Sequence, residues 1–302
     1  MPLSRSNVAY IQLSLSMCMV GANIAVGKVI VETLPVFLFS SFRFLISLSI
    51  LLVLLHQSKS SFSLSLKDTT ALFIQSLFGV FLFSVFMLYG VQLTTANSAG
   101  IITSTIPACI AALSMVFLRE RLSLKQMLSI GLAVFGIGIL NLQGQFGDLR
   151  DGSLTGNMLI LAAVISEAIF TITAKLSSAQ ITPLKMATGV NAFGLLLFSP
   201  LALRQAIIFD FATVPPLVWI LVIYYSLTAS ILSFILWYRG ISRVPASQAG
   251  LFTGFMPLSA VFVATFFLGE QLLWVHVLGM IAVLGAIILG TKIDDSKRIF
   301  EK

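Results

Sequence analysis

At 36–55 the chain reads VFLFSSFRFLISLSILLVLL, in which Arg43 is the one charged residue. A membrane-spanning helix takes about 20 mostly apolar residues, within a range of roughly 17–25. Runs of this kind recur near 8–30, 35–55, 70–91, 96–117 and 124–141, and again near 156–175, 184–203, 216–238, 245–268 and 272–291. Turn or charge signals part them: LPVF at 34–37, HQSKSS at 56–61, RERLS at 119–123, GQFGDLRDGS at 144–153 and the paired prolines at 215–216. With 58% hydrophobic and 10% charged residues, against about 45–50% and about 25% in soluble domains, the solvent of this chain is mostly lipid. The spacing predicts an all-α membrane protein of ten transmembrane helices. The run from Val8 to about Ile30 is too long for the apolar core of a signal peptide and is expected to stay as the first span.

Lysine and arginine set the orientation, because loops on the cytoplasmic side carry an excess of them. With the N-terminus inside, that side holds Arg5, Lys59, Lys67, Arg119, Arg121, Lys125, Lys175, Lys185, Arg239, Arg243, Lys292, Lys297, Arg298 and Lys302. The opposite side holds Arg150 and Arg204, with Lys28 near the outer end of the first span. Both termini are therefore expected in the cytoplasm, and the protein in the inner or plasma membrane as a multi-pass chain. The net charge of +7 is spent on this bias. No basic stripe interleaved with aromatics is left to suggest nucleic acid.

The stretch NSAGIITSTIP at 97–107 is echoed by SQAGLFTGFMP at 247–257. At the same offset of 150, Gly90 matches Gly240, Ala96 Ala246, Ala99 Ala249, Gly100 Gly250, Thr103 Thr253, Pro107 Pro257, Phe117 Phe267, Leu118 Leu268, Glu120 Glu270, Leu122 Leu272 and Leu128 Leu278. Earlier in each half the offset shrinks, pairing Lys28 with Lys175 and Pro35 with Pro183. Residues 1–143 and 154–291 are thus read as two five-helix repeats, joined by a connector at 144–153 and followed by a tail at 292–302. Five is odd, so the second copy lies upside down relative to the first. Inverted-topology repeats are a plan of secondary transporters, with the substrate site near the midplane between the halves.

Ten spans in two copies, with Pro35 followed by Ser41-Phe42-Arg43-Phe44 in the second span and a Gly/Ala-rich fourth span ending in Phe117-Leu118-x-Glu120, resemble the drug/metabolite transporter superfamily. EamA-type exporters are the nearest likeness, and it covers essentially the whole chain. The tryptophan-glycine pair often seen in the first span of such proteins is Val20-Gly21 here. The resemblance implies export of a small polar metabolite, such as an amino acid or a derivative, without ATP and without a cofactor.

Buried polar groups are the candidates for the pathway. A charge at a helix centre facing lipid costs roughly 2.5–3.5 kcal/mol, so Arg43 and Glu167 should face protein or a wet cavity. Either they pair and lock the halves together, or Arg43 meets a carboxylate and Glu167 an amine or a proton. Asn97, Gly100, Ser104 and Pro107 fall near one face of the fourth span, as Ser247, Gly250, Gly254 and Pro257 do in the ninth. The Gly100-x3-Ser104 and Gly250-x3-Gly254 spacings suit close helix packing, or else prolines that free carbonyls toward substrate. Asn23, Tyr89, Asn191, Trp237, Tyr238 and Gln248 are also deep enough to touch solute. Lys28 and Lys175 occupy equivalent positions at the two mouths, as snorkelling cations or as alternating gates. Glu120 and Glu270 close spans 4 and 9, capping neighbouring helices or pairing with Arg121. Trp219, Trp237 and Trp274 read as interfacial anchors.

Other classes find little to work with. No HExxH, GxSxG or Walker pattern is present, so the chain is not expected to be an enzyme. Cys18 and Cys109 read as small hydrophobes, and His56 and His276 form no ligand pattern, so no metal is expected. A channel or uniporter for a small solute stays as the alternative to a carrier. The partners expected are a small-molecule substrate, the lipid bilayer and, through Glu167, protons; the chain would act as a monomer or homodimer.

Overall fold

The computed structural model describes residues 5–58, 64–94, 96–141, 154–267 and 273–291. The expected connector and tail, with Lys59 and Glu270, lie outside the described residues. Helices follow one another along the chain: α1 (Arg5–Val31), α2 (Val36–Gln57), α3 (Leu66–Leu93), α4a (Ala96–Ser104), α4b (Ile106–Phe117), α5 (Leu124–Asn141), α6 (Leu154–Ser177), α7 (Pro183–Ala206), α8 (Pro216–Ile241), α9a (Ala246–Leu251), α9b (Phe255–Phe267) and α10 (Trp274–Thr291).

Their starts are written locally. Pro35 precedes α2 in an extended conformation, while Pro183 and Pro216 sit in the first turns of α7 and α8. A proline is tolerated there because its missing N–H would have no intrahelical partner. The α3 helix opens on a capping box: Ser65 Oγ accepts from the Asp68 amide at 3.1 Å, and the Ser65 amide donates to Asp68 Oδ2 at 3.3 Å. Ser123 and Gln126 repeat the arrangement at α5.

Among the described residues, eight helices are long and apolar enough to cross a membrane, and Ile106–Phe117 and Leu124–Leu140 are shorter apolar helices. Of the ten expected spans, eight meet that length among the described residues, and the fourth and fifth do not. For the fourth span the cause is a break: α4a and α4b part at Thr105, whose amide bonds the Ile102 carbonyl at 3.1 Å in a tighter turn. Pro107 forces this, since it has no N–H to continue the ladder. The ninth span breaks at the matching place, in a 3-10 turn at Phe252–Gly254 just ahead of Pro257.

A second irregularity is also doubled. α3 carries a π-helical turn at Leu77–Leu82 and α8 one at Ser226–Leu232, positions that coincide at the repeat offset. A π turn inserts one extra residue into a helix and loosens its hydrogen-bond ladder.

The main packing crosses the chain's midpoint. α5 lies along α10 and α2 along α7; α1 packs against α8 and α9b, while α6 packs against α3 and both parts of α4. Exchanging each helix for its counterpart five places on maps these pairings onto themselves. Buried aromatic rings centre the assembly, among them Phe44, Phe198, Trp237, Tyr238 and Phe252. Trp237 is only 2% exposed, so it is a core residue and not the interfacial anchor expected of it. A separate apolar cluster of Ile30, Leu34, Phe39, Val214, Val218 and Val222 ties α1 and α2 to the start of α8.

Candidate functional site

The polar side chains inside the bundle gather around the π turn of α8. Ser47 of α2 donates to the Ser226 carbonyl at 3.1 Å, Asn191 of α7 to the Ser230 carbonyl at 3.0 Å and Ser16 of α1 to the Ser233 carbonyl at 2.7 Å. Asn23 of α1 donates to Thr228 Oγ1 at 2.8 Å. Three helices thus supply hydrogen bonds to one loosened turn, where the wider helix releases carbonyls from their usual partners. The matching turn of α3, LFGVFL, has no polar side chain. The two halves share a backbone device and differ in its chemistry.

This cluster is not saturated. Asn23 Oδ1, Asn191 Oδ1, Ser230 Oγ, Thr171 Oγ1 and Trp237 Nε1 are buried without a hydrogen-bond partner. Buried polar atoms are nearly always paired, with protein, water or ligand. These five lie on α1, α6, α7 and α8.

Arg43 lies one turn ahead of Ser47 on α2. Its guanidinium sits 4.3 Å from the Phe44 ring centroid and 5.3 Å from that of Tyr225, the residue preceding the π turn. Its Nε has no partner. Glu167 lies on α6, one turn ahead of Thr171. Both charges are half-buried within the bundle. Among the described residues no salt bridge joins them, so the locking pair considered from the sequence is not formed. Arg43 is held by aromatic faces, which attract a cation without neutralising it.

The other expected residues divide. Tyr238 is fully buried, and its hydroxyl donates to Gln75 Oε1 at 3.1 Å while Gln75 Nε2 donates to Ser177 Oγ at 3.0 Å, a chain linking α8, α3 and α6. Gln248 bonds the Gly290 carbonyl at 3.4 Å and accepts from Tyr10 at 3.3 Å, joining α9a to α10 and α1. Ser104 bonds back to the Ile101 carbonyl at 2.7 Å and is buried. A side chain added at Gly250 would meet Ile110 at 3.2 Å, and one at Gly254 would press on Val283, so the small residues of α9 serve close packing. Pro107 is buried at the start of α4b, and Pro257 is half-buried in α9b. Tyr89 is 47% exposed near the end of α3 and joins none of these hydrogen bonds. The side chain of Asn97 lies outside the described residues.

Glu120 and Lys175 meet at the corner between α8 and α9a. Glu120 Oε1 accepts from the Ala246 amide at 2.7 Å; Oε2 accepts from the Ser247 amide at 3.1 Å and from its hydroxyl at 2.6 Å. Lys175 donates to the carbonyls of Ile241 at 2.9 Å, Ser242 at 3.4 Å and Val244 at 2.7 Å. A carboxylate on helical N–H groups and an ammonium on the last carbonyls each oppose the local helix dipole. Lys28 is exposed.

Sequence reasoning missed Ser16, Ser47, Gln75 and Ser230, and the available signal was slight. Serine is common in membrane helices, and only the partner helix tells a bridging serine from one that bonds its own preceding turn.

The chain is similar in sequence to proteins named as transporters. The profile of the EamA-like transporter family matches residues 7–142 and again residues 154–291. The chain is similar to the uncharacterized transporter YetK of Bacillus subtilis (strain 168), 46% identical over 92% of this chain and 85% of that protein. It is similar to an uncharacterized transporter of Archaeoglobus fulgidus, at 23% identity over 96% of this chain and 99% of the other. It is also similar to a probable terminal-alkyne amino-acid exporter of Streptantibioticus cattleyicolor, at 25% over 64% of this chain and 63% of that one. A solved crystal structure shares the fold across 99% of both chains, with a TM-score of 0.77 at 16% identity.

Proposed function

The chain belongs to the EamA-like transporter family, and from that membership we propose that it is a secondary transporter working by alternating access. It exports a small polar metabolite, such as an amino acid or a derivative, across the inner or plasma membrane. The observation that carries the reading is the set of helix pairings that survives exchange of the two halves. Two copies of one unit in opposite orientation make inward-open and outward-open shapes close in energy, which a carrier needs. In this reading ten spans form two inverted five-helix repeats with both termini cytoplasmic. The likeness to an amino-acid exporter supports the cargo class.

The cargo lies against the polar turn of α8. Arg43, cationic and without a carboxylate partner among the described residues, meets an anionic group of the substrate. Glu167, which no cation neutralises among the described residues, meets an amine or takes up a proton. The orphaned oxygens of Asn23 and Asn191 accept hydrogen bonds from the guest.

Purified protein reconstituted in liposomes tests this after a thermal-shift screen of amino acids, nucleosides and vitamins has found a stabilising ligand. Unlabelled ligand on the far side should accelerate uptake of labelled ligand, as a carrier does and a channel does not. Arg43→Leu and Glu167→Gln should each slow that exchange about tenfold or more in folded protein. If both exchange at the wild-type rate, these residues do not line the pathway. If Glu167 carries the proton, an imposed pH gradient drives flux in the wild type and not in Glu167→Gln.

A further inference from the structure

Two unpaired polar groups stand at one level on neighbouring helices. α6 and α8 run side by side in the same direction, and Lys175 marks their register by donating to the Ile241 carbonyl at 2.9 Å. Residues four apart share a helix face, so one turn earlier Thr171 comes level with Trp237. Their chain neighbours show the same register: the Phe170 and Tyr238 ring centroids are 6.3 Å apart. Thr171 is 0% exposed and Trp237 2%, and neither the Thr171 hydroxyl nor the Trp237 indole nitrogen has a hydrogen-bond partner.

Both groups have forgone the usual remedy. Threonines elsewhere in the bundle turn back onto the carbonyl four residues before, as Thr173 does at 2.7 Å, Thr188 at 2.8 Å and Thr228 at 2.7 Å. Thr171 makes no such bond. An indole N–H can only donate. A buried donor left unmade costs free energy, and two at one level call for an acceptor brought from outside the chain. Glu167 stands one turn before Thr171 on the same face of α6, about 5.4 Å along the helix. The counterpart positions in the first repeat are Val20, Ile24 and Met87. Apolar residues thus occupy the same places in the other copy of the unit, and its helices form without the polar set.

We infer that Glu167, Thr171 and Trp237 form a seat for the head group of an α-amino acid with an apolar side chain. The ammonium lies on the Glu167 carboxylate, and the cargo carboxylate accepts from the Thr171 hydroxyl and the Trp237 indole N–H. Amine and carboxylate carried on one carbon fit an acceptor and two donors one helical turn apart. A bare amine or a bare acid satisfies one side of the seat only. The side chain lies against Phe170 and Phe234, whose rings meet edge to face at 6.2 Å. This inference deepens the carrier reading above and rests on it. Arg43 lies beside Tyr225, about 18 Å before Trp237 along α8. It therefore receives the cargo's carboxylate at a different stage of passage from the one held here.

The test measures binding to purified full-length protein by titration calorimetry in detergent, and exchange in liposomes. The probes are leucine, methionine and phenylalanine. Each is matched with the amine that lacks its carboxylate and the acid that lacks its amine; for leucine these are isopentylamine and 4-methylpentanoate. The amino acid should bind about tenfold or more tighter than either matched fragment. Trp237→Phe keeps a ring and Thr171→Val keeps the shape, and each should weaken the amino acid about tenfold, the order of one hydrogen bond to a carboxylate. Both should leave the matched amine within about twofold. Their unfolding temperatures should not fall, since each change removes a group that has no partner. Glu167→Gln should weaken the amino acid and the matched amine alike and leave the matched acid no weaker. If none of the three amino acids binds while another compound exchanges, the seat is overturned and the carrier stands. Equal losses for amino acid and amine in Trp237→Phe and Thr171→Val also overturn it, since the two residues then hold structure or water only. If the amino acid binds with the expected pattern and fails to accelerate exchange, the seat stands and the carrier reading falls.

Discussion

Asn191 shows what one buried amide does in this bundle. Its two hydrogens go to the Ala187 carbonyl at 2.8 Å and the Ser230 carbonyl at 3.0 Å, leaving its oxygen without a hydrogen-bond partner. Asn191→Ala removes a donor from a carbonyl that the π turn has already loosened, and should destabilise the protein by about 0.5–2 kcal/mol. Chemical unfolding in detergent measures this, and an unchanged midpoint would show that the donor is dispensable. Asn191→Asp should be worse, since a carboxylate cannot donate to Ser230 and sets two acceptors face to face. Tyr238→Phe is expected to cost about 0.5–1.5 kcal/mol through the loss of the Gln75 bond. Arg43 and Glu167 were legible in the sequence because a charge within an apolar run has few explanations. Gln75 and Ser47 were not, because an uncharged polar residue in such a run has several.

The π turns belong to the scale of the helix. Deleting Leu227 would take out the extra residue, return the turn at Ser226–Leu232 to α geometry and keep Trp237 and Tyr238 on nearly their present face. It would disturb the carbonyls met by Ser47 and Asn191. The expected outcome is a folded protein with a lower unfolding temperature in detergent. Deleting Thr173, outside any π turn, rotates the helix beyond it by about 100° and should yield no single folded species. If the Leu227 deletion is as stable as the wild type, the π turn is an accommodation and not a requirement. The starts of α2 and α8 were readable from the prolines at 35 and 215–216, whereas α3 begins at Leu66 behind its Ser65 cap and not near 70 as expected. The two π turns were not, because their sequences, LFGVFL and SLTASIL, share little beyond apolar bulk.

At the scale of the molecule, the halves interlock. Neither repeat packs chiefly upon itself: α2 needs α7, α5 needs α10, and α6 fits between α3 and α4 of the other half. In lipid the hydrophobic effect gives helices little reason to associate, so close packing and interhelical hydrogen bonds must hold the bundle together. Residues 1–148 or 149–302 expressed alone should therefore be unstable, and the two co-expressed should purify as a complex. A half that is stable by itself, with protected amides in hydrogen exchange, would contradict this.

The sequence by itself determined the solvent, the helices and the twofold plan. A bilayer admits few ways to satisfy a backbone, and duplication leaves matching Gly, Pro and Glu residues that apolar drift does not erase. Only the tertiary structure decided which polar groups are still unpartnered, that Arg43 is held by rings and not by Glu167, and that Lys175 is engaged while Lys28 is exposed. Those facts depend on what the neighbouring helix brings to the contact. In a duplicated chain the same residue types at the same positions can be bound in one copy and released in the other.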